Sequence, residues 1–299
     1  MTQTNKNGWK GRTRGGVFGY RFFILLIKWV GIRAAYLFLA LVVAYFIPFA
    51  PKATGAAWRY ARGILHYGRL RSVCFLLLNY YRFGQTLIDK VAIRSGRIDA
   101  YQFRFGEHYA DFLDLLNGTT GVVLIGAHVG NWETGAPFLD EHGKKMHIVM
   151  LDAEYRKIKE LLSKHTGTPD YTVISVNDDS LTSLFKISHA LNKKEYVCFQ
   201  GDRFMEGSQQ LRTAFMGREA GFPAGPYLIA SRLGVPVAFY FAMREKGMRY
   251  SFHFVLAHPA AKGEGKRPEL SLLGQYVAAL ESIIKKYPEQ WFNYYDFWT

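Results

Sequence analysis

The segment GVVLIGAHVGNWE, residues 121–133, joins a short apolar run to a polar loop. The run VVLI follows Gly121, is rich in β-branched residues and is typical of a buried strand. His128, Asn131 and Glu133 come directly after it. In open α/β sheets, ligands bind at the carboxyl ends of the strands. The segment therefore predicts a strand with a functional site at its end.

Further apolar runs predict more strands, and helical patterns separate several of them. This alternation predicts an α/β fold with a mostly parallel sheet flanked by helices. The predicted strands are YTVISV (171–176), EYVCFQGD (195–202), VPVAFYFAM (235–243) and YSFHFVL (250–256). Helical patterns cover 56–117, 153–165, 178–194, 223–234 and 269–288.

The composition limits the classes of protein to which the chain can belong. Its 299 residues are 49% hydrophobic and 21% charged, which excludes a disordered chain. Lys and Arg number 38 against 24 Asp and Glu, so the net charge is +14, and 16% of the residues are aromatic. A basic chain rich in aromatic residues suits either nucleic acid or an anionic membrane surface.

The first fifty residues favour the membrane. We predict a basic N-terminal segment over 1–21, a hydrophobic membrane anchor over 22–51 and a catalytic domain over 52–299. The 18 residues between Arg33 and Lys52 carry no formal charge. That is close to the ~20 residues that a membrane-spanning helix needs.

Other interpretations of the anchor stay open. A cleaved signal peptide would share the basic start, but no small-x-small cleavage site follows the apolar stretch. A helix buried in a soluble core is a second alternative. Basic residues flank both ends of the stretch, so the positive-inside rule gives no orientation. A helix that lies in the membrane interface would also account for both basic flanks.

His128 and Glu133 form a candidate catalytic pair. If a helix begins near Gly130 or Asn131, Glu133 falls in its first turn, where its carboxylate can reach a ring nitrogen of His128. A carboxylate that fixes the tautomer makes a histidine a competent general base. The alternative is a histidine that only hydrogen-bonds backbone at a strand end. The spacing does not match a zinc-protease helix, and no metal site is predicted.

Three motifs, taken in order along the chain, resemble those of a known family. GAHVGNWE (126–133) resembles the H-x4-[DE] box of the bacterial lysophospholipid acyltransferase superfamily, in the form seen in lipid A late acyltransferases. FMGREAGFPAGPYLIASRLGVPV (215–237) and the aromatic tail PEQWFNYYDFW (288–298) are similar to further blocks of that branch. Two positions differ: Asp296 replaces a basic residue, and Gly201-Asp202-Arg203 replaces an Asp-Gln dipeptide.

The resemblance implies a glycerol-phosphate acyltransferase-like fold and an acyl transfer reaction. The donor is a thioester of acyl carrier protein or coenzyme A, bound as a substrate, and no cofactor is implied. The acceptor is a hydroxyl of a membrane lipid or glycolipid such as a lipid A precursor. His128 would take the hydroxyl proton and Glu133 would orient His128. The implied location is the bacterial inner membrane, with the catalytic domain facing the cytoplasm.

Four further residues are candidates for substrate binding. Asp202 and Arg203 end a predicted strand and should reach the same rim of the sheet as His128. Arg203 and Arg218 could bind phosphate or a phosphopantetheine group, unless they are ordinary surface charges. Backbone N–H groups around Gly225, at the start of a helix, could stabilise an oxyanion.

Two other functions compete with acylation of a lipid A precursor. The acceptor could be another lipid, such as a lysophospholipid, a phosphoglycolipid or an amino-acid lipid. The chain could instead be a basic lipid-binding membrane protein without catalysis. Nucleic acid is disfavoured as a partner, because many of the basic residues lie around the apolar anchor, where anionic lipid headgroups are closer.

Overall fold

A computed structural model describes residues 16–135, 137–138, 143–150, 171–176, 180–204, 207–258 and 267–298. The helix predicted over 153–165 lies outside them. Within the described residues, seven strands form one sheet and two others form a separate antiparallel pair. The strands are β1 Gln102–Phe105, β2 Val122–Gly126, β3 Met146–Met150, β4 Tyr171–Ser175, β5 Tyr196–Gln200, β6 Gln210–Phe215, β7 Arg218–Pro223, β8 Val237–Arg244 and β9 Arg249–Ala257.

Four of the described α-helices precede the first strand, and four lie between or after the strands. Within the part of the chain that the structure describes there are also three short 3-10 helices: Ile98–Ala100, Trp132–Gly135 and Pro288–Gln290. The α-helices that the structure describes over their full length are α1 Gly16–Trp29, α2 Ile32–Phe49, α3 Pro51–Gly63, α4 Arg69–Arg94, α5 Tyr109–Asn117, α6 Ser180–Asn192, α7 Ala224–Leu233 and α8 Pro268–Lys286.

The strand order across the sheet is β1-β9-β8-β2-β5-β3-β4. β8, β2, β5, β3 and β4 run parallel to one another. β9 returns antiparallel to β8, and β1 lies parallel to β9 at the edge. The predicted α/β fold with a mostly parallel sheet is therefore confirmed.

Apolar side chains fill both faces of the sheet. Val123 and Ile125 of β2 belong to one apolar layer, which includes residues of α6, α7 and α8. Val122 and Leu124 belong to the opposite layer, with residues of α2, α4 and α5. Because both faces are covered, all five positions of β2 are buried. This double burial explains why the strand is a continuous apolar run rather than an alternating one.

A buried ion pair ties β8 to α4. Arg244 Nε lies 2.8 Å from Asp89 Oδ2, and neither side chain is more than 3% exposed. The hydroxyls of Tyr101 and Tyr250 donate to Asp89 at 3.0 and 2.5 Å, and the hydroxyl of Tyr36 on α2 donates to it as well. We call these five residues the Asp89 cluster. Their hydrogen bonds compensate a carboxylate that would otherwise be costly to bury.

Among the described helices, α2 is long and apolar enough to cross a membrane, judged by length and composition alone. It is preceded by α1 and packs against α4, where Leu39 fills the space beside Gly84. The division of the chain at residues 21 and 51 stays a prediction.

We expect Arg244→Met to lower the free energy of unfolding by about 3–5 kcal/mol, because the substitution leaves the Asp89 carboxylate buried without its cation. The matched control is Arg59→Met. Arg59 also pairs with an aspartate, Asp296, but their side chains are 59% and 45% exposed, so the loss should stay below about 1 kcal/mol. Denaturant titration of both variants in one detergent measures the difference. Equally small losses would contradict a stabilising role for the Asp89 cluster.

Candidate active site

The register between two neighbouring strands brings His128 and Asp202 together. Gly126 at the end of β2 is paired with Gln200 at the end of β5. His128 and Asp202 each lie two residues beyond that pair. His128 Nδ1 is 2.7 Å from Asp202 Oδ1, and the His128 backbone N–H donates to Oδ2 at 3.0 Å. The pair therefore forms at the carboxyl end of the parallel strands.

Glu133 does not make the contact expected of it. It does lie in the first turn of a short helix, Trp132–Gly135, but its Oε1 is 2.5 Å from Lys90 Nζ on α4. Its Oε2 is buried and has no hydrogen-bond partner among the described residues. The carboxylate on His128 Nδ1 belongs to Asp202 instead, so the expected Glu133–His128 hydrogen bond is a wrong prediction.

The loop between His128 and Glu133 explains this difference. Gly130 has a φ of +55°, and a Cβ at this position would lie 2.1 Å from the carbonyl oxygen of Ala242 in β8. The next residue, Asn131, donates its backbone N–H to that same oxygen at 2.8 Å. The chain is thus fixed against β8 before the helix begins, and Glu133 is directed to α4.

Asp202 is a buried, ionised carboxylate. Its side chain is 1% exposed, and Trp291 Nε1 donates to Oδ2 at 3.3 Å in addition to the two bonds from His128. Burial alone would raise the pKa of Asp202, but the His128 ring and its hydrogen bond, the Arg203 charge and the His128 backbone N–H together hold the pKa below its usual range. An ionised carboxylate only accepts hydrogen bonds, so His128 carries its proton on Nδ1. Nε2 then keeps a lone pair.

His128 is held in its neutral form. Burial and, next to it, the positive charge of Arg203 lower the pKa of His128, while Asp202 opposes them by raising it. The side chain is still 31% exposed, so a substrate can reach the ring. A neutral, oriented and accessible imidazole can accept a proton from a hydroxyl group.

The carboxyl-terminal tail closes around this pair. Trp291 forms an antiparallel bridge with Val129, and the backbone N–H of Phe292 donates to the His128 carbonyl at 3.0 Å. Gly130 donates its N–H to Gln290 at 2.9 Å. The aromatic tail is therefore part of the site. The sequence flagged this tail only through its resemblance to a family block, and it gave no signal that Trp291 contacts Asp202.

The remaining predicted site residues lie at three different positions. Arg203 is half-buried and donates a hydrogen bond from Nη2 to the carbonyl of Phe292. Arg218 begins β7, is exposed, and donates from Nη2 to the carbonyl of Gly63 at 3.1 Å. Gly225 is exposed in the first turn of α7. The same turn contacts the segment that follows β5, since the Tyr227 hydroxyl donates to the Gly201 carbonyl at 2.9 Å.

An apolar cavity lies beside the helix that carries Glu133. The pocket is partly open, its volume including the space open to solvent is about 330 Å³, and Gly135 forms part of its wall. The opposite walls come from α5 and from strands β1, β8 and β9. The residues that line it are Phe105, Tyr109, Phe112, Leu113, Leu116, Gly135, Phe138, Tyr240, Phe252 and Phe254. Such a lining suits a hydrocarbon chain and offers little to a polar ligand.

Most of the chain matches the model of a known protein family. A family model described as bacterial lipid A biosynthesis acyltransferase matches residues 79–298. The chain belongs to this family. The matched region contains the His128–Asp202 pair, the cavity and the aromatic tail, and it leaves α1, α2 and α3 outside. A search of curated proteins finds no match to the chain.

Family membership confirms the resemblance seen in the sequence motifs. It shows an acyltransferase of the lipid A biosynthesis type.

We expect Asp202→Asn to lower kcat by more than Glu133→Gln does. Asp202 holds the Nδ1–H tautomer and would stabilise the imidazolium formed during proton transfer, whereas Glu133 pairs with Lys90. We expect a loss of about 10²–10⁴-fold for Asp202→Asn and at most tenfold for Glu133→Gln. Steady-state kinetics on both purified variants, with thermal melting as a check on folding, measures this. A larger kcat loss for a folded Glu133→Gln would contradict the assignment.

The pH dependence should follow the neutral form of His128. Because the pKa of His128 lies below its usual ~6.5, kcat/KM should rise with pH at acidic values, with a midpoint below that usual value. The Arg203 charge lowers that pKa, so Arg203→Gln should move the midpoint to higher pH, while Arg203→Lys should leave it nearly unchanged. Profiles of kcat/KM from pH 4.5 to 8 measure the shift. A midpoint that moves to lower pH in Arg203→Gln would contradict this sign.

Proposed function

We propose that this protein moves a fatty acyl chain from acyl carrier protein to a hydroxyl of a membrane glycolipid such as a lipid A precursor. The observation that carries the proposal is the His128–Asp202 pair, a histidine general base with a buried carboxylate at 2.7 Å, in a member of the lipid A acyltransferase family. The proposed site of action is the cytoplasmic face of the inner membrane, where the thioester donor would be available.

The proposed reaction is a direct acyl transfer. His128 Nε2 takes the proton of the acceptor hydroxyl as its oxygen attacks the thioester carbonyl carbon, and the new C–O bond gives a tetrahedral oxyanion. Asp202 stabilises the imidazolium through its hydrogen bond to Nδ1. The C–S bond then breaks, the carbonyl re-forms, and the leaving thiolate receives the proton from His128. The products are an ester and a free thiol, so atoms and charge balance.

The oxyanion would need donors that are already in position. The start of α7, at Gly225, is the candidate, because the N–H groups of a helix N-terminus favour negative charge. The first turn of α7 is joined to the segment that carries Asp202 through the Tyr227–Gly201 hydrogen bond. This role for Gly225 is part of the proposal.

The substrates would occupy separate parts of the surface. The apolar cavity beside Gly135 suits the acyl chain, because its lining is almost wholly hydrocarbon and aromatic. The donor's phosphopantetheine group would meet Arg218, which is exposed, more readily than Arg203, which is bound to the tail. The net charge of +14 would attract an acidic carrier protein over long distances.

The test of this function is acyl transfer by purified protein. We expect wild-type protein to acylate a lipid A precursor with acyl carrier protein as the donor, and His128→Ala to lose at least about a hundredfold in kcat. His258→Ala is the matched control, since His258 is exposed after β9 and away from the strand ends that form the site. Mass spectrometry of the extracted lipids identifies the product.

The other functions give different results in the same assay. Transfer to a lysophospholipid or an amino-acid lipid, but not to the lipid A precursor, would show that the proposed acceptor is wrong and that the acyl-transfer reaction is right. A strong preference for acyl-coenzyme A would show that acyl carrier protein is not the donor. No transfer to any of these lipids, or a His128→Ala variant as active as His258→Ala, would contradict the proposed reaction.

A further inference from the structure

The inner face of α2 is attached to the rest of the protein along its length. Ile32, Ala35, Leu39 and Val43 are buried, at spacings of three and four residues that form one stripe of the helix. Beside Leu39, α4 has Gly84, where a Cβ would lie 2.3 Å from Leu39 Cδ1. The two helices thus approach as closely as a glycine permits.

Polar bonds fix both ends of the same helix. Near its start, Tyr36 belongs to the buried Asp89 cluster, and Arg244 Nη2 donates to the Tyr36 hydroxyl at 3.2 Å. Near its end, the hydroxyl of Thr54 donates to the Ile47 carbonyl at 2.8 Å and lies 3.1 Å from the hydroxyl of Tyr80 on α4. If α2 left the domain, these buried polar groups would lose their partners, which is costly.

This attachment conflicts with a membrane crossing. A helix of 18 residues is about 27 Å long, close to the ~30 Å thickness of the bilayer hydrocarbon core. A crossing α2 would therefore carry α4 into the hydrocarbon along with it. The part of α4 beside the start of α2 holds Asp89 and also Lys90, which pairs with Glu133 next to the active site. The catalytic end of the domain would then lie inside the bilayer.

The outer face of α2 is apolar and exposed. Leu37, Leu41, Tyr45 and Phe49 are 59–77% exposed and follow one another at intervals of four residues. Exposed residues of α1 extend this surface, since the ring centroids of Phe22 on α1 and Phe38 on α2 lie 4.8 Å apart. We call the whole set the apolar face: Phe22, Leu25 and Trp29 of α1 and the four residues of α2. Large exposed apolar surfaces of this kind mark interaction sites.

The charge around the apolar face identifies its partner. Residues 1–88 contain 13 Lys and Arg and no Asp or Glu, so the first acidic residue of the chain is Asp89. Exposed cations border the face at both ends of α2, namely Lys28, Arg33 and Lys52. A surface with this much uncompensated positive charge would repel a second copy of itself and attract anionic lipid headgroups.

We propose that the apolar face lies flat on an anionic bilayer, with α2 parallel to the membrane plane rather than across it. The exposed side chains would enter the headgroup and upper acyl region to a depth of about 5–10 Å, as interfacial helices do. The catalytic domain then stays on one side of the membrane, and its attachment holds the site next to lipid substrates.

Cysteine labelling tests this arrangement in the full-length protein. Arg33→Cys and Lys52→Cys mark the two ends of α2, in a Cys74→Ser background because Cys74 is exposed. Lys285→Cys on α8, whose native side chain is 64% exposed, marks the catalytic domain. Sealed inverted inner-membrane vesicles are treated with a membrane-impermeant maleimide, before and after detergent. All three positions should be labelled before detergent. If only one end of α2 requires detergent for labelling, the helix crosses the membrane and the proposal is wrong.

Depth measurement gives a second, independent readout. Leu37 and Phe49 lie on the outer face 12 residues apart, about 18 Å along the helix axis. A fluorophore on Leu37→Cys or Phe49→Cys, in vesicles that contain phosphatidylglycerol, is quenched by lipids spin-labelled at different depths. The two positions should show the same shallow depth. Depths that differ by 15 Å or more would indicate a crossing helix. Unquenched probes in a dimeric protein would show that a second copy covers the face, and would overturn the proposal as well.

Discussion

The Asp202 carboxylate is the group on which the geometry of the site depends. It binds the ring and the backbone of His128, and it accepts a hydrogen bond from Trp291 of the tail. One buried negative charge thus joins the ends of β2 and β5 to the carboxyl terminus of the chain. Burial removes the carboxylate from water, which costs free energy. Each of these donors replaces a hydrogen bond that water would make and so offsets part of that cost.

The strand topology explains why this pair arises. β5 is inserted between β2 and β3, so the strand that follows β4 in sequence becomes the neighbour of β2. His128 and Asp202 each lie two residues beyond the paired residues Gly126 and Gln200, so they come to lie opposite each other. Gly201, between them, has no room for a side chain, since a Cβ would lie 2.7 Å from both Ile125 and the Tyr227 hydroxyl. Side chains of β2 and α7 thus pack directly against the backbone of Gly201, next to Asp202.

The sequence predicted the features that depend on local pattern. Continuous apolar runs such as 122–125 indicated the buried parallel strands, and the position of His128 at a strand end made it a candidate general base. The partner of His128 was assigned wrongly, because Glu133 is near in sequence, whereas Asp202 is 74 residues away and Trp291 lies a further 89 residues along the chain. Strand order and register, which single-sequence patterns do not encode, decide which of these carboxylates reaches the ring.

The role of Asp202 is tested most directly by NMR of the His128 ring. Protein labelled with ¹⁵N only in histidine, and compared with His128→Ala for assignment, should show a strongly deshielded Nδ1–H proton from His128 at neutral pH. The account predicts that this signal is lost or moves far upfield in Asp202→Asn and is retained in Glu133→Gln. A signal that survives in Asp202→Asn and disappears in Glu133→Gln would contradict the assignment of Asp202 as the group that orients His128.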